Sequence, residues 1–377
     1  MKNLKNKSLV ACFFLLICLP VIDQVLGISS FRTMEKKSSS LPEAGSLHSI
    51  QSLKKAVRKF DTYYKTNFGG RNGLVFLHST LHYYVLNDSP VPQQVILGKK
   101  GWLYVGDQYN RVMQQHQGLW PLPLDSAKAI AQYIADVHQK LANKGIQLYI
   151  LIAPDSHSIY PEYLPDHLSP CPQVQADGLC KEPETPHDVL SRAMQKQPAV
   201  PFLDIRDALR KAKQRIDVYK ETDTHWSSYG AFIGTASLVN RIRQKFPTIR
   251  PIRWSEYDMQ IMRGGSGDLA ALMMLQGQVK DQTFCSIVIK PAVRAVATQQ
   301  ATDKQASHFQ GKDPSQPSMI FFGDSFSEGM LAYIPSYFSR STAVHQPTLD
   351  WKRIDRERPD IVVVEIVERN LRDLRKL

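Results

Sequence analysis

The feature that most restricts the fold of this 377-residue chain is an almost uninterrupted apolar run near its C-terminus, at residues 361–367. A strand with one face in water alternates apolar and polar residues, whereas a strand covered on both faces need not alternate. The run therefore predicts a central strand of a sheet that is covered by helices on both sides. Such strands are typical of parallel sheets in α/β proteins.

A helix followed directly by a strand predicts the same architecture. Apolar residues recur at helical spacing between positions 130 and 141, and Gly145 closes that segment before the apolar stretch 146–153. Helices are also predicted at about 53–64 and after Trp226 and Phe326. A hairpin is predicted at 95–105, and a polar surface loop at 297–318. Further strands are predicted at 200–205, 320–322, 342–345 and 361–367.

Two short motifs, a hundred residues apart, supply the groups of a nucleophilic acyl-transfer site. The first is Asp223–Trp226 and the second is Gly323–Phe326. Asp223 and His225 are two positions apart, so in extended chain they point to one face, where the carboxylate can hold the imidazole. Ser325 follows four apolar residues and a Gly, which indicates a strand that ends in a tight turn and exposes the hydroxyl.

Each motif also has a structural interpretation. Ser325 after a strand could be a helix N-cap, where its oxygen accepts a backbone N–H. His225 could be a hydrogen-bonded loop histidine, and Asp-x-His also occurs in metal sites. The presence of both motifs, each beside a predicted strand or helix, favours catalysis.

The chain resembles the periplasmic alginate O-acetyltransferases of the AlgJ/AlgX type, which carry an SGNH-hydrolase-like domain. Simple SGNH hydrolases place the Ser block before the Asp/His block. Here the Asp/His block comes first, so the resemblance implies a circularly permuted order of motifs on an α/β fold with a parallel sheet flanked by helices. The segments that carry the resemblance are Val95–Tyr104, Ile159–Pro165, Phe202–Leu209, Tyr219–Trp226, Gly267–Leu269, Gly323–Phe326 and Pro359–Leu371.

The resemblance implies an O-acetyltransferase that acts on hydroxyls of an alginate-like exopolysaccharide. Ser325 would carry the acetyl group, His225 would be the general base, and Asp223 would orient the imidazole. A multipass membrane acyltransferase would donate the acetyl group, and neither a cofactor nor a metal is expected. One alternative is a carbohydrate acetylesterase with the same triad. Another is a catalytically idle polysaccharide-binding subunit, against which the intact triad argues.

Other residues near these motifs are expected to have structural roles. Asp324 is expected to brace its turn, Asp268 to be structural, and Trp226 to pack. Arg369 is interpreted as a solvated charge, with pairing to a carboxylate as the alternative. The family often carries a Lys after the position of Pro154, and this chain does not, so no role of that Lys is transferred.

The N-terminus has the pattern of an export segment. Three Lys residues precede the apolar run 9–22, as in the basic and apolar regions of a signal sequence. We predict an uncleaved signal anchor at 1–28, with a cleaved signal peptide as the alternative. A polar linker at 29–48 and an acetyltransferase domain at 49–377 follow, which places that domain in the periplasm. The chain ends at Leu377 without the carbohydrate-binding module of AlgX-type proteins, so the AlgJ type is expected.

Cysteine use and charge fit export. Cys171 and Cys180 flank a short loop and predict a local disulfide, with two free thiols as the alternative. A metal site there is disfavoured, because no His or second Cys pair lies nearby. The formal net charge of +12 suggests an anionic partner such as a polysaccharide or lipid headgroups, or simply a basic surface. No nucleic-acid motif is present.

Overall fold

The computed structural model describes residues 49–169, 183–298 and 306–377, together with scattered positions between Lys7 and Asp23. The predicted linker at 29–48 and the predicted Cys171–Cys180 disulfide lie outside the described residues. Among the residues that are described, no helix combines the length and the apolar content needed to cross a bilayer.

The chain divides into two compact units. One comprises Met1–Pro90 with Met273–Leu275, and the other comprises Val91–Leu272 with Gln276–Leu377. The first unit contains helices α1 (Ile50–Asn67) and α2 (Arg71–Leu81), and a π-helical turn at His82–Leu86 continues α2. The helix predicted at 53–64 is therefore confirmed and is longer at both ends. Its earlier start is explained by the side chains of Ser49 and Ser52, which cap the first turn reciprocally.

The second unit is built on a seven-stranded sheet and two hairpins. The sheet has the order β4-β3-β11-β9-β10-β8-β7, and the hairpins are β1–β2 and β5–β6. The described strands are β1 (Val95–Leu97), β2 (Leu103–Val105), β3 (Gln147–Ala153), β4 (Phe202–Asp204), β5 (Tyr257–Arg263), β6 (Thr283–Ile289), β7 (Val296–Thr298), β8 (Ala306–Gln310), β9 (Met319–Phe322), β10 (Arg340–Val344) and β11 (Ile361–Val367).

The helices of the second unit flank this sheet or follow its strands. Its described α-helices are α3 (Val112–His116), α4 (Leu124–Ala142), α5 (Ser156–Ile159), α6 (Pro186–Met194), α7 (Arg206–Ala212), α8 (Ser228–Arg243), α9 (Asp268–Leu272), α10 (Ser327–Leu331) and α11 (Trp351–Glu357). Its 3₁₀ helices are Lys99–Gly101, Pro161–Tyr163, Asp166–Leu168, Trp254–Glu256, Ile334–Tyr337 and Glu368–Lys376.

The centre of the sheet is buried on both faces, as the apolar run predicts. Every residue of β3 and β11 is buried. Ile134 and Leu141 of α4 lie in one core cluster with Ile150 of β3 and Val364 of β11. The α/β prediction and its central strand at Ile361–Val367 are thus confirmed.

The prediction of a parallel sheet is wrong at one edge, so the sheet is mixed. Strands β4, β3, β11, β9 and β10 pair in parallel, whereas β8 pairs antiparallel with both β10 and β7. Both β7 and β8 fall in the range 297–318 or at its border, which the sequence predicts as loop. The physical reason is their position at the edge, where all of β7 is exposed and polar residues are tolerated.

Parallel pairing brings the carboxyl ends of five strands to one edge of the sheet. The segments that follow β3, β4, β9, β10 and β11 begin at Pro154, Ile205, Gly323, His345 and Glu368, respectively. Ligands of open α/β sheets bind beyond this edge. The predicted Ser325 turn lies there.

Candidate active site

Ser325 lies in the tight turn between β9 and α10. The turn packs so closely that a Cβ atom on Gly323 would lie 2.5 Å from the Cβ of Ser327 and 2.9 Å from Oε2 of Glu365. Only glycine avoids both contacts. Gly323 therefore permits the sharp change of direction that leaves the Ser325 side chain partly exposed at the end of the strand.

Asp324 braces this turn, in agreement with the role expected for it. Its Oδ1 accepts a hydrogen bond from the backbone N–H of Phe326 at 3.0 Å. Its Oδ2 accepts one from the backbone N–H of Val367 at 2.8 Å. The carboxylate thus joins the Ser325 turn to the end of β11, the neighbouring strand of the sheet.

A second carboxyl group, that of Glu365, is fully buried beneath the turn on β11. Its Oε2 accepts a hydrogen bond from the backbone N–H of Asp324 at 3.2 Å. Burial, followed by the charge of Asp324, raises the pKa of Glu365 well above its usual value. Its environment therefore favours the neutral carboxyl over the carboxylate, which helps a Glu to fit within an otherwise apolar strand.

Replacing Asp324 by Ala is expected to lower the free energy of unfolding by about 2–4 kcal/mol, because the buried N–H groups of Phe326 and Val367 both lose their acceptor. Urea unfolding followed by circular dichroism measures this change. Asp313→Ala is the matched control, because Asp313 accepts a comparable backbone hydrogen bond from Ser315 in an exposed loop. Equal losses in the two variants would contradict the bracing role.

Asp223 and His225 lie on a loop that an antiparallel bridge between Tyr219 and Trp226 closes. Asp223 Oδ1 is 3.0 Å from Nδ1 of His225 and also accepts the backbone N–H of His225 at 3.0 Å. On the other side of the ring, Nε2 of His225 is 2.8 Å from Oγ of Ser325. The three predicted site residues therefore lie in one row, in which His225 is within hydrogen-bond reach of both Asp223 and Ser325.

Asp268 is a second carboxylate at the same imidazole, and sequence reasoning missed its position. Its Oδ2 is 3.5 Å from Nδ1 of His225, and its Oδ1 accepts the backbone N–H of Thr224 at 2.7 Å. Gly267 allows this approach, because a Cβ atom there would lie 2.3 Å from the carbonyl oxygen of Thr222. The short Gly267–Leu269 block, which contains Asp268, was the one sequence feature that could have indicated this position.

The two carboxylates control the charge of the imidazole. Burial favours the neutral ring of His225, but the hydrogen bond to Asp223 and the charges of Asp268 and Asp223 outweigh burial and raise the pKa of His225. Burial also opposes ionisation of Asp223, yet the hydrogen bonds from His225 and the nearby Lys220 ammonium, at 3.6 Å, lower its pKa. For Asp268, burial and the charge of Asp223 raise the pKa.

Trp226 packs, as expected. It is buried, and its indole N–H donates to the carbonyl oxygen of Phe326 at 3.1 Å, so it helps to hold the loop of His225 against the turn of Ser325.

The interpretation of Arg369 as a solvated charge is wrong. Its side chain is 11% exposed, its guanidinium forms an ion pair with the buried Asp155, and its backbone N–H donates to Asp155 at 3.0 Å. The guanidinium carbon lies 5.7 Å from the centre of the Phe326 ring. The buried partner follows β3, far away in the sequence, so no local pattern indicates the pair.

Two groups of side chains within the described residues have the spacing of metal ligands. They are Asp155, His157 and Glu368, and, at the candidate active site, Asp223, His225 and Asp268; in each group the candidate ligand atoms lie within 4.8 Å of one another. In each group, a contact already uses a carboxylate oxygen that a metal ion would need. These contacts are the ion pair of Asp155 with Arg369 and the hydrogen bond between Asp223 and His225.

The row of Asp223, His225 and Ser325 has the geometry needed for nucleophilic acyl transfer. Each imidazole nitrogen has a separate partner, so one can carry its proton toward a carboxylate while the other accepts the proton of the serine. Among the described residues, the backbone N–H of Ser325 has no hydrogen-bond partner, which leaves it available to an oxyanion.

A family model described as the SGNH hydrolase-like domain of the acetyltransferase AlgX matches residues 95–341. A curated relative from Pseudomonas aeruginosa named "Probable alginate O-acetylase AlgJ" is 25% identical over 287 residues, which is 76% of this chain. The match spans 65% of that relative's own length.

Two solved structures share the fold. PatB1 of Bacillus cereus superposes with a TM-score of 0.54 at 14% identity, over 74% of this chain and 96% of PatB1. A DHHW family protein from Eubacterium siraeum superposes with a TM-score of 0.51 at 12% identity, over 75% of this chain and 98% of that protein. At these identities, the two structures support the shared fold alone.

Proposed function

The chain belongs to the AlgX family of SGNH hydrolase-like acetyltransferase domains, and from this premise we propose that it is an O-acetyltransferase that modifies hydroxyls of an alginate-like exopolysaccharide. The observation that carries the proposal is the row in which His225 contacts Asp223 through Nδ1 and Ser325 through Nε2. The name of the relative from Pseudomonas aeruginosa supports the alginate-like acceptor.

In the first half-reaction, Nε2 of His225 takes the proton of Ser325 as Oγ attacks the carbonyl carbon of a donor acetyl ester. Asp223 holds the imidazole in the tautomer that leaves Nε2 free to accept and stabilises the imidazolium that forms. The backbone N–H of Ser325, which has no partner among the described residues, would donate to the oxyanion. The imidazolium then protonates the leaving oxygen of the donor, which leaves acetyl-Ser325.

In the second half-reaction, the neutral His225 removes the proton of a sugar hydroxyl as its oxygen attacks acetyl-Ser325. The tetrahedral intermediate collapses, Ser325 recovers its proton from His225, and the sugar keeps the acetyl group as an ester. Water in place of the sugar gives acetate and makes the enzyme an esterase. Asp268 holds the backbone N–H of Thr224, and we assign it a second role. Because its carboxylate also faces Nδ1 of His225, it stabilises the imidazolium.

The surrounding organisation is part of the same proposal. The Asp/His block precedes the Ser block, which supports a circularly permuted SGNH domain within residues 49–377. The basic and apolar N-terminus supports a signal anchor at 1–28 and a linker at 29–48, with the domain in the periplasm. A Cys171–Cys180 disulfide fits that oxidising compartment. A multipass membrane acyltransferase would supply the acetyl group.

The molecule that receives the acetyl group, sugar or water, distinguishes a transferase from an esterase. With an activated acetyl ester as donor, oligouronates are expected to gain acetyl groups, detected by mass spectrometry, while acetate release declines in proportion. Carboxyl-reduced oligosaccharides are the matched acceptors, and the net charge of +12 predicts that they gain less acetyl and that added salt narrows the difference.

Fast acetate release with no acetylation of any acceptor would support the esterase and overturn the transferase. Equal acetylation of both acceptors, without an effect of salt, would remove only the electrostatic part of the proposal. The Ser325→Ala variant is the control that measures hydrolysis of the acetyl donor in the absence of the proposed nucleophile.

A further inference from the structure

Helix α1 carries a narrow apolar stripe that faces solvent. Its members are three or four positions apart, so they lie above one another on one side of the helix. Within the described part of the chain these side chains are 43–77% exposed. They are Ile50, Leu53, Val57, Phe60 and Tyr64.

The second helix of the same unit repeats this pattern. Its exposed apolar side chains continue into the π-helical turn at 48–69% exposure. They are Leu74, Leu77, Leu81, Tyr84, Val85 and Leu86. Side chains of this size and number are rarely left in water along two consecutive helices, and such surfaces mark sites of association.

The charge on α1 is almost entirely positive. The helix has five Lys or Arg side chains and one carboxylate, and that carboxylate, Asp61, is paired with Lys65 at 2.7 Å. Lys54 borders the apolar stripe at helical spacing, whereas Lys55, Arg58 and Lys59 lie on the side away from it. The polar side of the helix is thus basic along its first three turns.

We propose that α1 lies on the surface of an anionic phospholipid bilayer, with its apolar stripe at the boundary of headgroups and acyl chains. Amphipathic helices with this combination of an apolar stripe and a Lys/Arg-rich polar face bind such surfaces. Phe60 and Tyr64, whose rings stack at 6.4 Å, suit the depth at which aromatic side chains concentrate in membranes.

Charge complementarity favours lipid over a second copy of the chain. A second copy would place one positively charged helix against another, with only Asp61 to offset the repulsion. An anionic bilayer, in contrast, attracts each basic side chain near its surface. The proposal does not depend on the acetyltransferase activity.

A photocrosslinking experiment on the full chain tests this orientation. The photoreactive amino acid p-benzoyl-phenylalanine replaces either Phe60 on the stripe or Gln51 on the opposite face, and each protein is added to vesicles. The vesicles contain phosphatidylethanolamine with phosphatidylglycerol, or phosphatidylcholine alone. Because the two probes are on the same helix, membrane binding by residues 1–28 affects both equally. Intact-mass spectrometry identifies what each probe has captured.

The expected result is a lipid adduct at position 60 that exceeds the one at position 51 by about tenfold or more in anionic vesicles, because only the stripe reaches the acyl chains. Lys54→Gln with Arg58→Gln should lower this yield by up to about fivefold for each charge removed. Lys128→Gln with Lys312→Gln, which changes two exposed Lys in the other unit, should leave the yield unchanged.

Three outcomes would overturn the proposal. They are a crosslink from position 60 to a second copy, a crosslink to residues 1–48 of the same chain, and lipid capture that is equal at positions 60 and 51. A probe at Val57 repeats the measurement at a second position of the stripe. Circular dichroism of each probe variant establishes that the substitution leaves the fold intact.

Discussion

Ser325→Ala and His225→Ala are each expected to lower acetate release from an activated acetyl ester by about 10⁴-fold or more, because nucleophile and base act as one unit. The 2.8 Å contact between Nε2 and Oγ is the reason. Without the imidazole, the hydroxyl keeps its proton and is a weak nucleophile. Without the hydroxyl, no acetyl-enzyme forms.

The double variant should be no slower than the slower of the two single variants. An acyl-enzyme trapped by rapid quenching and located by peptide mass spectrometry should carry its acetyl group on Ser325. Ser315→Ala, at an exposed loop serine, is the matched control and should retain full activity. Single variants that lose less than about tenfold would refute the assignment of nucleophile and base, since triad knockouts cost orders of magnitude more.

Asp223→Asn is expected to lower kcat by about 10⁴-fold, because an amide can donate to Nδ1 and thereby favour the wrong imidazole tautomer. Asp223 is the nearer carboxylate, with Oδ1 3.0 Å from Nδ1, and it also fixes the His225 backbone. Steady-state kinetics on the folded variant measures the loss. Asp268→Asn is the matched substitution, and at 3.5 Å its effect on kcat should be far smaller.

The pH profile distinguishes the two carboxylates further. His225 accepts a proton only when neutral, so activity falls as pH drops through its pKa, which is raised above the usual 6.5. Asp268→Asn removes one negative charge near the ring, so the acidic limb of kcat/KM should move to lower pH. An unchanged limb, or a loss as large as that of Asp223→Asn, would contradict the division of roles between Asp223 and Asp268.

Sequence reasoning predicts those features of this molecule that local patterns determine. The apolar run at 361–367 predicted a buried central strand, and helical spacing predicted α1 and α4. The i, i+2 spacing of Asp223 and His225 predicted their contact, and the strand-then-glycine pattern predicted the turn at Ser325. In each case neighbours in the sequence are also neighbours in space.

The features that the sequence did not predict depend on contacts between distant segments. Asp268 approaches His225 from another element, and the buried charge of Arg369 depends on Asp155, more than two hundred positions earlier. Strand β8, which lies between β10 and the edge strand β7, has only one buried residue and lacks the apolar pattern that would have indicated it. Glu365 fits its strand because the turn above it supplies a hydrogen-bond donor.

The position of β11 in the sheet has a consequence for the stage of folding at which the candidate active site forms. This strand is the last in the chain, yet it lies between β3 and β9 and supplies the Val367 N–H that Asp324 binds. A chain whose synthesis has passed Ser325 but has not reached Val367 therefore contains all three triad residues without the strand that joins their two halves of the sheet. We therefore expect the proposed nucleophile to become reactive only after these distant segments have paired.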